Sequence, residues 1–371
     1  MALPDAFKNL TDPRVERHKR HSLEDILLLT ICAFICGADS WTDVEVFGHA
    51  KADWFKTFLA LPNGIPSHDT LGRVFARLDP EAFRECFVAW MDAVAELTQG
   101  EVVAIDGKTL RRSYDRAGDK SAIHMVSAWA ADNGVVLGQY KTQEKSNEIT
   151  AIPALLKLLA LDGCVVTIDA MGCQKAIAGA IRAQNADYVL ALKGNQSTLH
   201  DDVKRFFDTG LETNFHGYPV DTHHTVDADH GRIESRRYWT VSAIDWLEGR
   251  EAWPGLNSIG MVESQREVGD QITTERRYFI SSRTSNAAQF GHAVRAHWGI
   301  ENRLHWTLDV AFREDECRVR KDHGPDNMAM LRHLTLNLLR QETTHKRGIK
   351  SKRLKAGWDQ PYLLKVLGFA G

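Results

Sequence analysis

Val102-Val103-Ala104-Ile105-Asp106-Gly107 and Cys164-Val165-Val166-Thr167-Ile168-Asp169-Ala170 are the two stretches that decide the fold. Each is a short β-type run that stops at an aspartate followed by a small residue, as in a buried strand ending at a turn. One such aspartate is ordinarily a turn residue or a helix cap. Two in equivalent places, 63 residues apart with a helical segment between them, invite a second reading. If the runs are parallel neighbours, both carboxylates sit at one edge of one sheet, where open α/β sheets place their sites.

Working outward, strand-like runs cover Ile123 to Ala130 and Val135 to Tyr140, with the hairpin signal Asn133-Gly134 between them. A helical segment spans Asn147 to Leu161, another Gln174 to Ala183, and a strand Tyr188 to Leu192. Antiparallel strands followed by strands alternating with helices imply one mixed sheet with helices packed on it. Residues 211–282 change character. Arg232 to Val241, Ser258 to Arg266 and Gln271 to Ile280 alternate or are β-rich, with a turn at Gly269-Asp270, and read as an added β-rich insertion. Helical patterns return over Asn286 to Leu308 and Asn327 to Gln341.

Residues 1–98 read as all-helical. Ser22 caps a helix carrying Ile26, Leu27 and Phe34 that ends at Gly37, and a second run starts at Asp39. After the breaker from Pro62 to Pro66, Ser67 caps a short helix and Pro80 opens another. The expected class is therefore α+β (mixed). It has a helical module at 1–98, a mixed-sheet domain at 99–345 carrying the insertion, and a basic tail at 346–371.

Of the 371 residues, 43% are apolar and 26% charged, enough for a sizeable core. No run of eighteen apolar residues marks a membrane span, and Met1 to Arg20 lacks the apolar segment of a secretory signal. Six cysteines without a Cys-x-x-Cys pair read as free thiols, so the expected compartment is the cytoplasm. Net charge is −3, but Lys346, Arg347, Lys350, Lys352, Arg353 and Lys355 stand together without an acid. Removing those 6 from 46 bases leaves 40 against 49 acids, a net of −9 elsewhere. A second basic knot holds Arg14, Arg17, Lys19 and Arg20. Such asymmetry suits patchwise contact with a polyanion, or simply two solvated surface segments.

Glu301 is a third carboxylate of interest. At α-helical spacing Phe290, His297, Glu301, His305 and Leu308 share one face, which places Glu301 among core-facing residues. A buried carboxylate must be paired, protonated or bound to a cation. Arg295, Arg303 or His305 could be a plain partner. If the helix instead packs beside both aspartate strands, three carboxylates converge and call for a cation, and all-oxygen ligands suit Mg²⁺ or Mn²⁺. Two such ions about 4 Å apart suit phosphodiester chemistry. Lys108, Arg111 and Arg112 follow the first aspartate, and Lys193, Asn195 and Gln196 follow the third strand of the alternating part; all could grip phosphates. A competing site would use His297, Glu301 and His305 around a transition metal such as zinc.

At these residues the sequence resembles bacterial insertion-sequence transposases of the H-repeat-associated group. The resemblance lies in Ala104 to Thr109, Lys145-Ser146-Asn147-Glu148-Ile149, Thr167 to Gln174, Tyr188 to Gln196, and His297 to Trp306 with Leu308-Asp309-Val310. Pro62 to Leu78 belongs to it too, so it covers nearly the whole chain. It implies a DDE enzyme with a ribonuclease-H-like catalytic domain, often carrying a β insertion before the final glutamate. It implies Asp106, Asp169 and Glu301 as the triad with divalent metal. The 132 residues from Asp169 to Glu301 agree with such an insertion. Val294, His297 and Leu308 stand where related transposases carry Tyr, Arg and Lys, a departure. Asp309 is an alternative acid, about 80° from Glu301 on a helix.

Within that resemblance, the helix from Ser67 could enter a DNA groove, with Arg73 and Arg77 a turn apart, or the two could simply cover its surface. The expected function is DNA transposition by phosphodiester hydrolysis and strand transfer, with double-stranded DNA as partner and an oligomer pairing two ends. The alternatives are a catalytically inactive, transposase-derived DNA-binding protein and a zinc hydrolase.

Overall fold

Strands β1 (Val102–Thr109), β2 (His124–Ala130), β3 (Val135–Lys141), β4 (Val165–Ile168), β5 (Asp187–Leu192), β6 (Asp221–Asp229), β7 (Arg232–Val241), β8 (Ser258–Val268) and β9 (Gln271–Ser281) form one sheet. It is 9-stranded, in the order β3-β2-β1-β4-β5-β9-β8-β7-β6. This computed structural model describes residues 3–114, 121–142, 148–229, 232–269 and 271–369. Lys145, Ser146, Asn147 and Asp270, named above, lie outside the described residues.

The two deciding runs are indeed parallel neighbours. β1 pairs with β4 from Val102↔Val165 to Ile105↔Ile168, and β4 pairs in parallel with β5. All other pairings are antiparallel. The class is mixed, with helices packed on a large mixed sheet.

One expectation needs correction. β1 does not stop at Asp106. It continues through Gly107 to Thr109, paired with β2, because the antiparallel ladder outlasts the parallel one. The four strands after residue 220 join the sheet at its other side. Val189↔Ser281 to Leu192↔Tyr278 zips β9 onto the free edge of β5, so they extend the same sheet. Sequence patterning missed β6, whose residues Asp221 to Asp229 are almost all polar, as an outermost strand with little to bury allows.

The first helices are α1 (Leu3–Ala6), α2 (Leu23–Ile35), α3 (Trp41–Ala50), α4 (Ala52–Phe55), α5 (His68–Arg77) and α6 (Pro80–Val94). Ser22, Ser40, Ser67 and Asp79 cap α2, α3, α5 and α6, each accepting a backbone N–H of the first turn. Later come α7 (Glu148–Leu156), α8 (Lys175–Arg182), α9 (Ser197–Thr213), α10 (Ala287–Gly299), a π-helical turn at Ile300–His305, and α11 (Trp306–Phe312). The last are α12 (Gly324–Gln341), α13 (Ile349–Trp358) and α14 (Gln360–Val366).

α12 ties the parts together. It is buried nearly all round and packs on α2, α5, α6, α13 and β3. Asn337 donates to Val136 O and accepts from Val136 N–H, which satisfies the outer edge of β3. Asn327 donates to Phe75 O and Leu78 O, closing the end of α5. One continuous apolar core runs from the first helices through the sheet.

The basic tail is helical, and two of its six bases face inward. Lys352 donates to Leu339 O (2.7 Å), and Arg353 donates to Phe34 O (3.0 Å) and Ala38 O (3.0 Å) and pairs with Asp39. Among the described residues no helix is long and apolar enough to cross a membrane.

Candidate active site

Asp106 and Asp169 are each the first residue beyond the Ile105↔Ile168 pair, so they hold the same register position on adjacent parallel strands. Strand alternation then turns both side chains to one face, about 4.8 Å apart along the hydrogen-bonding direction. Asp169 Oδ1 accepts the N–H groups of Met171 (3.0 Å) and Gly172 (3.3 Å), which fixes its carboxylate at the strand exit. Burial above all pushes the Asp106 carboxyl up to about 7. A hydrogen bond from Gly107 N–H opposes this, while the charges of Glu148, Asp169 and Glu301 add to it. A carboxyl so placed is held against its own ionisation by three neighbours of like sign.

The helical strip carrying Glu301 lies over the same face. His297 Nδ1 is 3.0 Å from Thr167 Oγ1, and Thr167 shares its face with Asp169. Eight residues on, His305 Nδ1 is 3.7 Å from Asp106 Oδ2. The strip is thus hydrogen-bonded to the Asp169 strand at His297 and passes close to Asp106 at His305, with Glu301 between the two. Burial lowers both imidazoles to about 4, so they sit there neutral.

Glu301 itself is exposed, where the sequence placed it facing the core. Glu301 stands at the start of the π-helical turn at Ile300–His305, across which α-helical spacing does not hold. His297, Glu301 and His305 do not come together as a transition-metal site. Among the described residues no group of three or more His, Cys, Asp or Glu side chains converges closely enough to grip an ion. In chemistry, however, the acids around Asp106 fit a hard divalent cation. They are oxygen donors whose mutual repulsion an ion of opposite charge would relieve.

Residues 97–338 match the family described as Transposase DDE domain. This chain belongs to that family. Residues 4–91 match the DDE_Tnp_1-associated domain. Two relatives from Escherichia coli carry provisional names as transposases. YncI of O157:H7 is 43% identical over 370 residues, 99% of this chain and 94% of its own length. The H repeat-associated YhhI of strain K12 is 41% identical over 356 residues, 95% of this chain and 93% of its own. A protein named for the dhlA 3′ region of Xanthobacter autotrophicus is 48% identical over 284 residues, 76% of this chain and 94% of its own. DDE transposase domains generally use divalent metal ions.

The other residues singled out in this transposase divide by what they touch. The Lys108 ammonium is enclosed by Asp309 and by Glu314 (2.8 Å), with Asp315 at 4.0 Å. Burial works against its charge, but Glu314 and Asp309 outweigh it and raise the pKa. The alternative acid Asp309 is thereby accounted for as a Lys108 partner. Asn195 donates to Ala170 O (2.6 Å) and Gln196 to Cys173 O (3.0 Å), so these amides brace the loop after Asp169. Arg111, Arg112, Lys193, Arg73 and Arg77 are exposed, and Arg111 pairs with Asp315 at 3.2 Å.

Sequence reasoning assigned no role to two features. Glu148 leads the charges acting on Asp106, and its only signal was its presence in the resembling block Lys145 to Ile149. A cleft of about 600 Å³ is lined by Arg236, Arg266, Arg277 and Arg295, with Glu234 and Glu275 among them, and by Trp298 and Asn302. The arginines scattered over β7 to β9 were its signal, but only the folded sheet brings them to Trp298.

Proposed function

We propose that this chain is a DNA transposase whose Asp106, Asp169 and Glu301 hold divalent cations, Mg²⁺ or Mn²⁺, two in number, on a ribonuclease-H-like sheet. The observation that carries this is the pair of aspartates in equal register on parallel strands, with Asp106 pushed up to about 7 among further acids. Cations held there supply Lewis acidity to in-line displacement at phosphorus. Asp106 and Asp169 offer oxygen from the rigid sheet, and Glu301 from the π turn.

In the first reaction water forms a bond to phosphorus at the element end and the P–O3′ bond breaks, leaving a 3′-hydroxyl and a 5′-phosphate. In the second that hydroxyl attacks a target phosphodiester and the target's 3′-oxygen leaves. The arginine-rich cleft and the Trp298 ring, with the Arg277 guanidinium 5.3 Å from its centroid, offer the strand next to the bond cationic and stacking contacts. Lys193, Arg111 and Arg112 border the same edge, and Arg73 and Arg77 offer a separate contact on α5. Pairing two element ends calls for a homo-oligomer, and the reaction belongs with the nucleoid in the cytoplasm.

The test is nicking of an element-end duplex by the purified chain with Mn²⁺ or Mg²⁺. Asp106→Asn, Asp169→Asn and Glu301→Gln should each lose more than about 100-fold, the upper loss seen even for partners behind a metal ligand. Nicking that survives Asp106→Asn overturns the assignment. Salt-sensitive DNA binding without nicking under either metal would favour the inactive DNA-binding protein.

A further inference from the structure

We propose that Glu148 is a fourth carboxylate of the metal site, positioned by a hydrogen-bonded chain from Thr109 through His124 and admitted to the edge of β1 by the missing side chain at Gly107. This rests on the metal-site reading of Asp106 and Asp169. It adds an acid from a different helix.

The geometry begins at Gly107, next to Asp106. A Cβ built there would lie 2.2 Å from Glu148 Oε1 and 2.3 Å from His124 Nε2. Any other residue would evict both groups, so the glycine is a notch that Glu148 and His124 fill. Thr109 and His124 are register partners across β1 and β2. Thr109 Oγ1 is 2.9 Å from His124 Nδ1, and His124 Nε2 is 2.8 Å from Glu148 Oε1. With the threonine hydroxyl donating to Nδ1, Nε2–H donates to Oε1. That arrangement fixes one carboxylate oxygen and leaves Oε2 to face a cation. A metal site's outer partners orient its ligands in the same way.

Strand alternation puts Gly107 and Thr109 on the face opposite Asp106. Beyond Ile105, however, β1 has no β4 partner, so at that edge the two faces are continuous. An acid reaching this edge is unfavourable in isolation, since it repels Asp106. A partner needed only to pin α7 to the sheet could be any neutral hydrogen-bonding residue. A further negative charge at this edge is favourable beside a bound cation, whose charge offsets the repulsion among the acids.

The experiment measures Mn²⁺ binding to the full chain without DNA, by the fall in the free-ion spin-resonance signal, alongside melting in metal-free buffer. Glu148→Gln keeps an acceptor for His124 and removes the charge. We expect its Mn²⁺ Kd to rise about tenfold or more, with a melting temperature equal to or above that of the native chain, since repulsion is relieved. A purely structural Glu148 would give unchanged Kd. Gly107→Ala, which fills the notch, should weaken Mn²⁺ binding similarly, and it carries the test if Glu148→Gln does not fold. Native Kd in these variants, with binding lost in Asp106→Asn, overturns the role of Glu148 and leaves the triad standing. Native Kd in Asp106→Asn as well overturns the metal-site reading itself.

Discussion

Lys108 shows how a residue's job changes once its neighbours are known. In the sequence it is a base two places after a candidate catalytic acid, which suits a phosphate grip. In the structure it is the link between β1 and the segment after Glu301, because Asp309 and Glu314 both pair with it. Glu314 is fully buried, and against that burial Lys108 first and Arg332 next keep it ionised. Lys108→Met would leave Glu314 to the more distant Arg332, at 3.6 Å. Removing one partner of a buried pair costs about 3–5 kcal/mol, and the remaining arginine places this case at the lower end. Urea unfolding should show that loss, and adding Glu314→Gln should recover part of it. None of this was legible beforehand, since the partners lie some two hundred residues away in sequence. Asp106 and Asp169 were legible because each follows a run that only a buried strand explains.

At the scale of elements, legibility tracks periodicity. β1, β4 and β5 are apolar on both faces and announce themselves, as do the capped helices α2 and α5. β7, β8 and β9 could be read as strands from their alternation, but their joining of β5 is a tertiary outcome that no local pattern carries. The turn at Ile300–His305 defeats periodicity outright. A π-helical turn holds one more residue than an α-helical one, so a wheel drawn through it loses its phase for the residues beyond Ile300. Such turns commonly sit at functional sites, and here one runs from beyond the His297 hydrogen bond to His305, which lies close to Asp106. Deleting Asn302 should convert the turn to plain α-helix. Because both flanks are ordinary α-helix, the variant should fold with melting close to native. Because Glu301 and His305 lose their alignment to the sheet, metal-dependent nicking should fall by about tenfold or more.

Over the whole molecule, the terminal segments close on the middle. Arg353 reaches α2, α12 joins the first helices to β3, and the core is shared. Summed charge could not reveal this, because Lys352 and Arg353 count as surface bases until their carbonyl partners are seen. The same enclosure leaves imidazoles buried and neutral. His333 on α12 is held down to about 4, chiefly by burial, with Lys108 and Arg332 adding to it and Glu314 opposing. Unfolded, it would titrate near 6.5. Between pH 6.5 and 4 the unfolded chain therefore takes up a proton that the folded chain refuses, so this residue's contribution to stability falls as pH falls. Other groups titrate in that window, Asp106 with the opposite sign, so the measurement must be a difference. Stability of the native chain minus that of His333→Gln should be level above pH 7. It should then decline by about 1.4 kcal/mol per pH unit down to pH 4 and flatten below. A difference independent of pH would mean that this imidazole takes up its proton in the folded protein.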